Sequence, residues 1–321
     1  MARVTSADVA RESGVSRTTV SYVLNGTAGT SISEATRRRV LDTAARLGYA
    51  PSAAARTLRS GRSDLVLCVL PDWPVGPVVE TMLDHLADEL AERGLSVLVH
   101  HVRGNRPLSD LWRAVTPRTV VGLTAFEPDE VRAMRRAGVQ VVDTSAAEPG
   151  IENPQPRIGR LQVERLVAGG RTRIGYATTA DRRVAEFADQ RLAGVRAECA
   201  ERGLAEPVVV PVEVDAASGT AAVDAWRTAG VTGVAAYNDE VAFAVLAGAR
   251  AAGVAVPGDL AVVGVDDVPL AALASPPLTT VTQWMDREAS YLAARVLAAL
   301  DGDAPPRRPG DGPTIVGRDS A

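Results

Sequence analysis

Four consecutive residues near the amino terminus, Ser16-Arg17-Thr18-Thr19, supply three short hydroxyls and a guanidinium, groups that meet phosphate oxygens and base edges. Further along, Asn238-Asp239 and Asp266-Asp267 each follow an apolar run, Gly233 to Tyr237 and Leu260 to Val265. In open α/β sheets, ligands sit beyond the carboxyl ends of such strands. Asp266 and Asp267 do not read as a catalytic pair, because neighbours at a strand end diverge. Catalytic signatures are otherwise missing. His85, His100 and His101 form no ligand cluster, the last two pointing to opposite faces of a strand, and there is neither a GxSxG elbow nor a P-loop. Cys68 sits in the apolar run Leu65 to Leu70 and Cys199 in a helical pattern, so both read as buried thiols. The chain is therefore not expected to be an enzyme, and neither a metal nor a cofactor is expected.

The charge distribution points to a polyanion at one end. Residues 1–62 hold ten Arg against four acids, net +6, while the remainder carries −10 and the whole chain −4; there is no Lys. A basic amino-terminal module on an acidic body suits contact with nucleic acid at one end only. At 321 residues and 46% hydrophobic, the chain can build two or three domains. No apolar run approaches the ~18 residues of a membrane span, and the start lacks the apolar stretch of a secretory signal. The expected location is cytoplasmic, with no membrane partner.

The elements that position Ser16 to Thr19 are short helices. Ser6 is placed to cap residues 7–13, Gly14 permits a tight turn, and Ser16 can cap Arg17 to Leu24, whose Val20, Val23 and Leu24 form an apolar edge. Asn25-Gly26 ends that helix. A third begins at Ser33-Glu34, carries Val40, Leu41, Ala44 and Leu47, and stops at Gly48. Two helices joined at a Gly turn, with hydroxyls and Arg opening the second, spell a helix-turn-helix; a plain three-helix bundle is the other reading, which the excess of positive charge disfavours. The stretch Ser52 to Arg59 has helix propensity but is too short to hold alone, so it should fold on DNA, with Ala53 and Ala54 small enough to let two copies approach.

From Asp64 the pattern becomes apolar runs alternating with amphipathic helices. Leu65 to Leu70, Ser96 to Val102, Thr119 to Thr124 and Val139 to Asp143 form one series of strands, and Arg173 to Thr178, Val208 to Val214, Gly233 to Tyr237 and Leu260 to Val265 a second. The segment from Ala146 to Pro156 reads as a crossover between two lobes.

These residues resemble a known family. Asp8-Val9-Ala10, Gly14-Val15-Ser16, Thr19-Val20-Ser21, Val23-Leu24-Asn25, Thr36, Val40, Leu47-Gly48-Tyr49, Pro51 and Ala55-Arg56-Thr57-Leu58 are similar to the DNA-binding head of the lac-repressor/galactose-repressor (LacI/GalR) family. Arg191-Leu192-Ala193-Gly194, Asn238-Asp239, Val263 to Asp267, Pro276 to Val281 and Arg318-Asp319-Ser320 extend the resemblance to the carboxyl end. It implies a homodimeric regulator, with a recognition helix in the major groove of a near-palindromic double-stranded DNA operator and hinge helices paired in the minor groove. Arg17, Thr18 and Tyr22 fall where the family reads bases; Tyr22 stands where Arg is common, so no operator can be borrowed from a relative. Ser16, Thr19, Ser21, Asn25 and Thr36 resemble phosphate-contacting positions, with capping as the other role for Ser16. Leu58, beside Ala54, would be the wedge between base pairs.

The implied fold is α plus α/β: a three-helix head (1–50), a hinge (51–62), and a two-lobed body like a periplasmic binding protein (63–321). Lobe 1 spans about 63–156 plus 283–310, and lobe 2 about 157–282 plus the final strand. Arg191, Asn238 and Asp266 would bind a small-molecule effector such as a sugar. Arg191 as a structural ion pair and Asp239 as a helix cap stay open beside that. Three departures weaken the sugar assignment, one being that Asp215 to Ser218 lacks an aromatic. Trp73, in Pro71 to Val79, would have to replace the family's stacking aromatic, and Arg157-Ile158-Gly159-Arg160 replaces the usual acidic loop before lobe 2. The tail after Asp301 carries no leucine heptads, so a coiled-coil tetramer has no support. The expected function is a repressor whose effector alters the lobe angle and hinge spacing. A regulator governed by a partner protein or by no ligand, and a solute-binding protein for transport, are the alternatives.

Overall fold

The computed structural model describes residues 4–24, 31–49, 63–103, 107–144, 153–308, 310 and 312–321. The chain divides into two compact units, a helical head and an α/β body that begins at Leu65.

The head consists of α1 (Ser6–Ser13), α2 (Arg17–Leu24) and α3 (Glu34–Arg46). Val9, Ala10, Val20, Val23, Val40 and Ala44 make its core. Thr5, not Ser6, is the N-cap of α1: the Asp8 carboxylate accepts from both the Thr5 N–H (3.0 Å) and its hydroxyl (2.7 Å), leaving Ser6 in the first turn. These bonds, with Arg11 beside it, hold the Asp8 carboxyl below the usual carboxylate range. Gly14 closes α1 at φ 66°, a left-handed conformation that costs glycine nothing.

The first lobe is a parallel sheet of order β2-β1-β3-β4, from β1 (Leu65–Leu70), β2 (Ser96–His101), β3 (Thr119–Gly122) and β4 (Gln140–Asp143). Strand β3 ends two residues before the apolar run does, at Gly122, where Phe126 folds back so closely that a Cβ would lie 2.4 Å from its ring. Helices α4 (Pro77–Ala91), α5 (Leu108–Val115) and α6 (Pro128–Arg136) complete this lobe. Leu86 and Leu90 of α4 are fully buried in one cluster with β1 and the later helix α11. Each such leucine contributes about 1.5–3 kcal/mol by leaving water.

The second lobe begins with α7 (Pro154–Ala168) and continues through β5 (Ile174–Thr179), α8 (Ala185–Glu201), β6 (Val208–Val212), α9 (Ala216–Thr228), β7 (Gly233–Ala236), α10 (Asp239–Ala251), β8 (Ala261–Val265) and β9 (Thr279–Thr282). The chain then enters α11 (Met285–Asp301), which packs on the first lobe, and returns as β10 (Thr314–Val316). The second sheet runs β10-β9-β8-β7-β5-β6, parallel except for the antiparallel pair β10–β9. The segment expected as a crossover is described only from Asn153, the N-cap of α7. Arg157 to Arg160 are thus helical rather than a loop: Ile158 is buried, and Arg160 pairs with Glu198 and Glu201 of α8. Cys68 and Cys199 are buried thiols, with burial pushing them up to about 12 and about 11.

Candidate functional site

In the head, Ser16 accepts a hydrogen bond from the Thr19 N–H (3.0 Å), and their hydroxyls are 2.9 Å apart, so both residues serve the start of α2. Arg17 and Thr18 stand exposed on its first turn and Tyr22, 40% exposed, one turn later. Ser21 is half-buried. Thr36 closes the start of α3 by donating its N–H to Ser33 Oγ (3.3 Å). Asn25, Ala54 and Leu58 lie outside the described residues. What the helices present is one exposed helix amino terminus bearing hydroxyls and a guanidinium, suited to phosphates and base edges.

In the body, a cavity of about 1240 Å³ opens between the two lobes at the carboxyl ends of the strands. Trp73, Arg191, Asn238 and Asp266, far apart in sequence, all line it. Four side chains there close into a ring. Arg191 Nε donates to Gln155 Oε1 (2.7 Å), Gln155 Nε2 to Gln283 Oε1 (3.2 Å), and Gln283 Nε2 to Asp266 Oδ1 (2.6 Å); Arg191 Nη2 stands 3.9 Å from that same oxygen. Arg191 also donates to the Tyr237 carbonyl (2.6 Å), and its guanidinium lies 4.8 Å from the centre of the Tyr237 ring. Burial raises the Asp266 carboxyl to about 6, although Arg191 and Gln283 pull the other way.

Asn238 is the N-cap of α10, its Oδ1 accepting from the Val241 N–H (3.0 Å), so its amide NH2 remains for a ligand. Asp239 is therefore not the cap. It is fully buried within the first turn, accepting from Thr280 Oγ1 (2.6 Å) and the Val268 N–H (2.9 Å), and burial raises its carboxyl to about 7. Asp267 turns away from Asp266 to pair with Arg318 (2.6 Å). Trp73 meets Phe187 edge to face across the cavity, 5.3 Å between ring centres at 61°.

Among the lining residues that escaped the sequence reading are Gln155, Phe187, Tyr237 and Gln283. Phe187 lies four residues before Arg191 and so shares its helix face, and Tyr237 ends the apolar run before Asn238; both signals were present. The two glutamines carry no local signal at all.

An exposed helix-turn-helix terminus on one unit and a two-lobed α/β body with a polar-floored cleft on the other define a DNA-binding transcriptional regulator. The chain belongs to the lacI family of bacterial regulatory proteins. Residues 5–52 match the family described as bacterial regulatory proteins, lacI family, and residues 163–321 match the periplasmic binding protein-like domain. The HTH-type transcriptional regulator GntR of Pseudomonas aeruginosa is 32% identical over 316 residues, covering 94% of this chain and 90% of the relative. The transcriptional regulator CelR in complex with cellobiose superposes with a TM-score of 0.66 at 27% identity, over 99% of this chain and 100% of that one. The lac repressor dimer bound to operator and the anti-inducer ONPF shares the fold, with a TM-score of 0.76 at 23% identity and 99% of each chain covered. Among the described residues no helix is long and apolar enough to cross a membrane.

Proposed function

We propose that the protein is a homodimeric repressor that binds a near-palindromic operator and is modulated by a small hydroxylated effector, a sugar or close relative, held in the cleft. The observation that carries the effector half is the ring of Arg191, Gln155, Gln283 and Asp266 on the cleft floor. It leaves the second carboxylate oxygen of Asp266 as an acceptor and the Asn238 NH2 as a donor, a combination suited to vicinal hydroxyls. Trp73 and Phe187 supply ring surface opposite, supporting a stacked sugar face despite a chain with only 4% aromatics. The complex of CelR with cellobiose favours the same ligand class.

On the DNA side, Arg17, Thr18 and Tyr22 read bases, Ser16, Thr19, Ser21, Asn25 and Thr36 hold phosphates, and Leu58 and Ala54 form the hinge contact in the minor groove. The division into a head (1–50), a hinge (51–62) and a body (63–321) belongs to this reading, as does a cytoplasmic location. Thermal unfolding against glucose, maltose, cellobiose, gluconate and purines tests the effector half. A ligand at 100 times its dissociation constant adds about 2.7 kcal/mol, and its addition should change the anisotropy-measured affinity for operator DNA. A flat panel with intact operator binding would leave a regulator governed by a protein partner or by none.

A further inference from the structure

We infer that Gln155 and Gln283 are positioning residues that couple the cleft floor to the point where the chain passes from the second lobe back to the first; this rests on the effector reading above. Gln283 occupies that passage. It directly follows Thr282, the last residue of β9 in the second sheet, and two residues later α11 begins, packed on the first lobe. Trp284 between them is left-handed, φ 53° and ψ 55°, a conformation that a bulky non-glycine residue holds only when its surroundings enforce it. Its indole lies 4.7 Å from the Arg287 guanidinium. Gln155 is anchored to the second lobe: its N–H donates to Asn153 Oδ1 (3.0 Å), and Asn153 in turn donates to Gln190 of α8 (2.8 Å).

The ring has a direction. Each glutamine accepts through Oε1 from one neighbour and donates through Nε2 to the next, so the order Arg191, Gln155, Gln283, Asp266 runs from guanidinium to carboxylate without two like groups meeting. Asp266 is itself left-handed, φ 110°, and its N–H donates to the carbonyl of Val281 (2.8 Å) on the strand that leads to Gln283. A hydroxylated ligand that engages the free Asp266 oxygen therefore pulls on the carboxylate that Gln283 holds through the other oxygen, and with it on the residue that sets the entry into α11. The amide pair transmits occupancy to the lobe connection, and its two ends, unlike Arg191 and Asp266, need not touch the ligand.

The test uses the full chain with nitroxide labels at Arg136→Cys in the first lobe and Ala221→Cys in the second. Both positions are exposed, and the native thiols are buried. Labelled protein is diluted with excess unlabelled protein so that distances within a protomer dominate a pulsed electron–electron measurement. Gln155→Leu, Gln283→Leu and the double variant should each broaden the interlobe distance distribution about twofold. The double variant should go no further than either single one, because all three break the same bond. Gln155→Glu is nearly isosteric and keeps the acceptor for Arg191 but loses the donor to Gln283; it should broaden the distribution as Gln155→Leu does, with the melting temperature showing that it folds. Unchanged distributions in the folded variants, or additive broadening, overturn the coupling. If cellobiose or another panel sugar stabilises the wild type while the distances never change, the effector reading stands and this inference falls. If no panel ligand binds yet the distances broaden without additivity, the coupling stands and the sugar class falls.

Discussion

Arg191 Nη2 and Asp266 Oδ1 face each other at 3.9 Å on the cleft floor, both side chains less than 10% exposed, and the gap is spanned by two glutamine amides rather than closed by direct contact. The guanidinium offsets the buried carboxylate there, and it costs the fold little because the Tyr237 carbonyl and Gln155 satisfy it. Arg191→Met should therefore destabilise the body by about 3–5 kcal/mol. The loss should be larger at pH 8 than at pH 5, where Asp266, with its carboxyl at about 6, is largely protonated and needs no cation. Urea unfolding of wild type and variant at the two pH values checks this; a loss independent of pH would place the role of Arg191 in packing alone.

Asp239 makes the pH dependence of the wild type predictable in sign. Its carboxyl is raised to about 7 and that of Asp266 to about 6, both above the 3.8 expected when unfolded, chiefly through burial and with neighbouring acids adding to it. The native state thus holds more protons than the unfolded state between about pH 4 and 7, and stability should fall as pH rises through that window. Between pH 5 and 8 the Asp239 share is roughly 2–3 kcal/mol. Asp239→Asn should flatten the profile, leaving the smaller slope due to Asp266. An unaltered profile in that variant would move the proton uptake elsewhere.

The strands were legible because a strand buried on both faces must be apolar throughout, as Leu65 to Leu70 and Ala261 to Val265 are. The start of α2 was legible because Ser16 follows the Gly14 turn and stands three residues before Thr19, the spacing of a helix cap. Where two candidates adjoin, sequence alone cannot choose: Thr5 and Ser6 both qualify as caps, as do Asn238 and Asp239, and in each pair the first residue took the position. The ring in the cleft was only half legible. Asp266 was marked by its place after the run Leu260 to Val265 and Arg191 by resemblance, whereas Gln155 and Gln283 pair across 128 residues, a separation no local pattern reports. The paucity of aromatics likewise understated the cleft, since Trp73, Phe187 and Tyr237 converge there.

Arg17 is exposed on the first turn of α2 and takes part in no ion pair among the described residues, so its guanidinium is available to a guanine edge. Arg17→Ala should weaken the preferred operator by about 1–3 kcal/mol and relax preference at one base pair per half-site. Ser16→Ala, which removes the bond to the Thr19 N–H, should instead lower head stability by about 0.5–2 kcal/mol and leave base preference intact. Selection from a randomised operator library, run beside thermal unfolding, separates the two. Unchanged preference with Arg17→Ala would reduce Arg17 to a phosphate contact.

Gly194 and Gly159 bring α8 and α7 into backbone contact: a Cβ on Gly194 would sit 1.9 Å from the Pro156 carbonyl oxygen, and one on Gly159 would sit 2.0 Å from that of Arg191. The crossing lies one turn from Arg191 on α8 and one residue from Gln155 on α7, so it sets their 2.7 Å separation. Gly194→Ala must push the helices apart, and overpacking of this kind costs about 1–3 kcal/mol. The displacement also lengthens the Arg191–Gln155 bond, so any sugar that stabilises the wild type should stabilise this variant less at equal concentration. Ala193→Ser, at an exposed position of the same helix, should change stability by no more than about 0.5 kcal/mol and leave the ligand response intact. Thermal unfolding of the three proteins with and without ligand decides the matter: a Gly194→Ala protein that melts early yet keeps its full ligand shift would show that the crossing supports the lobe without positioning the cleft.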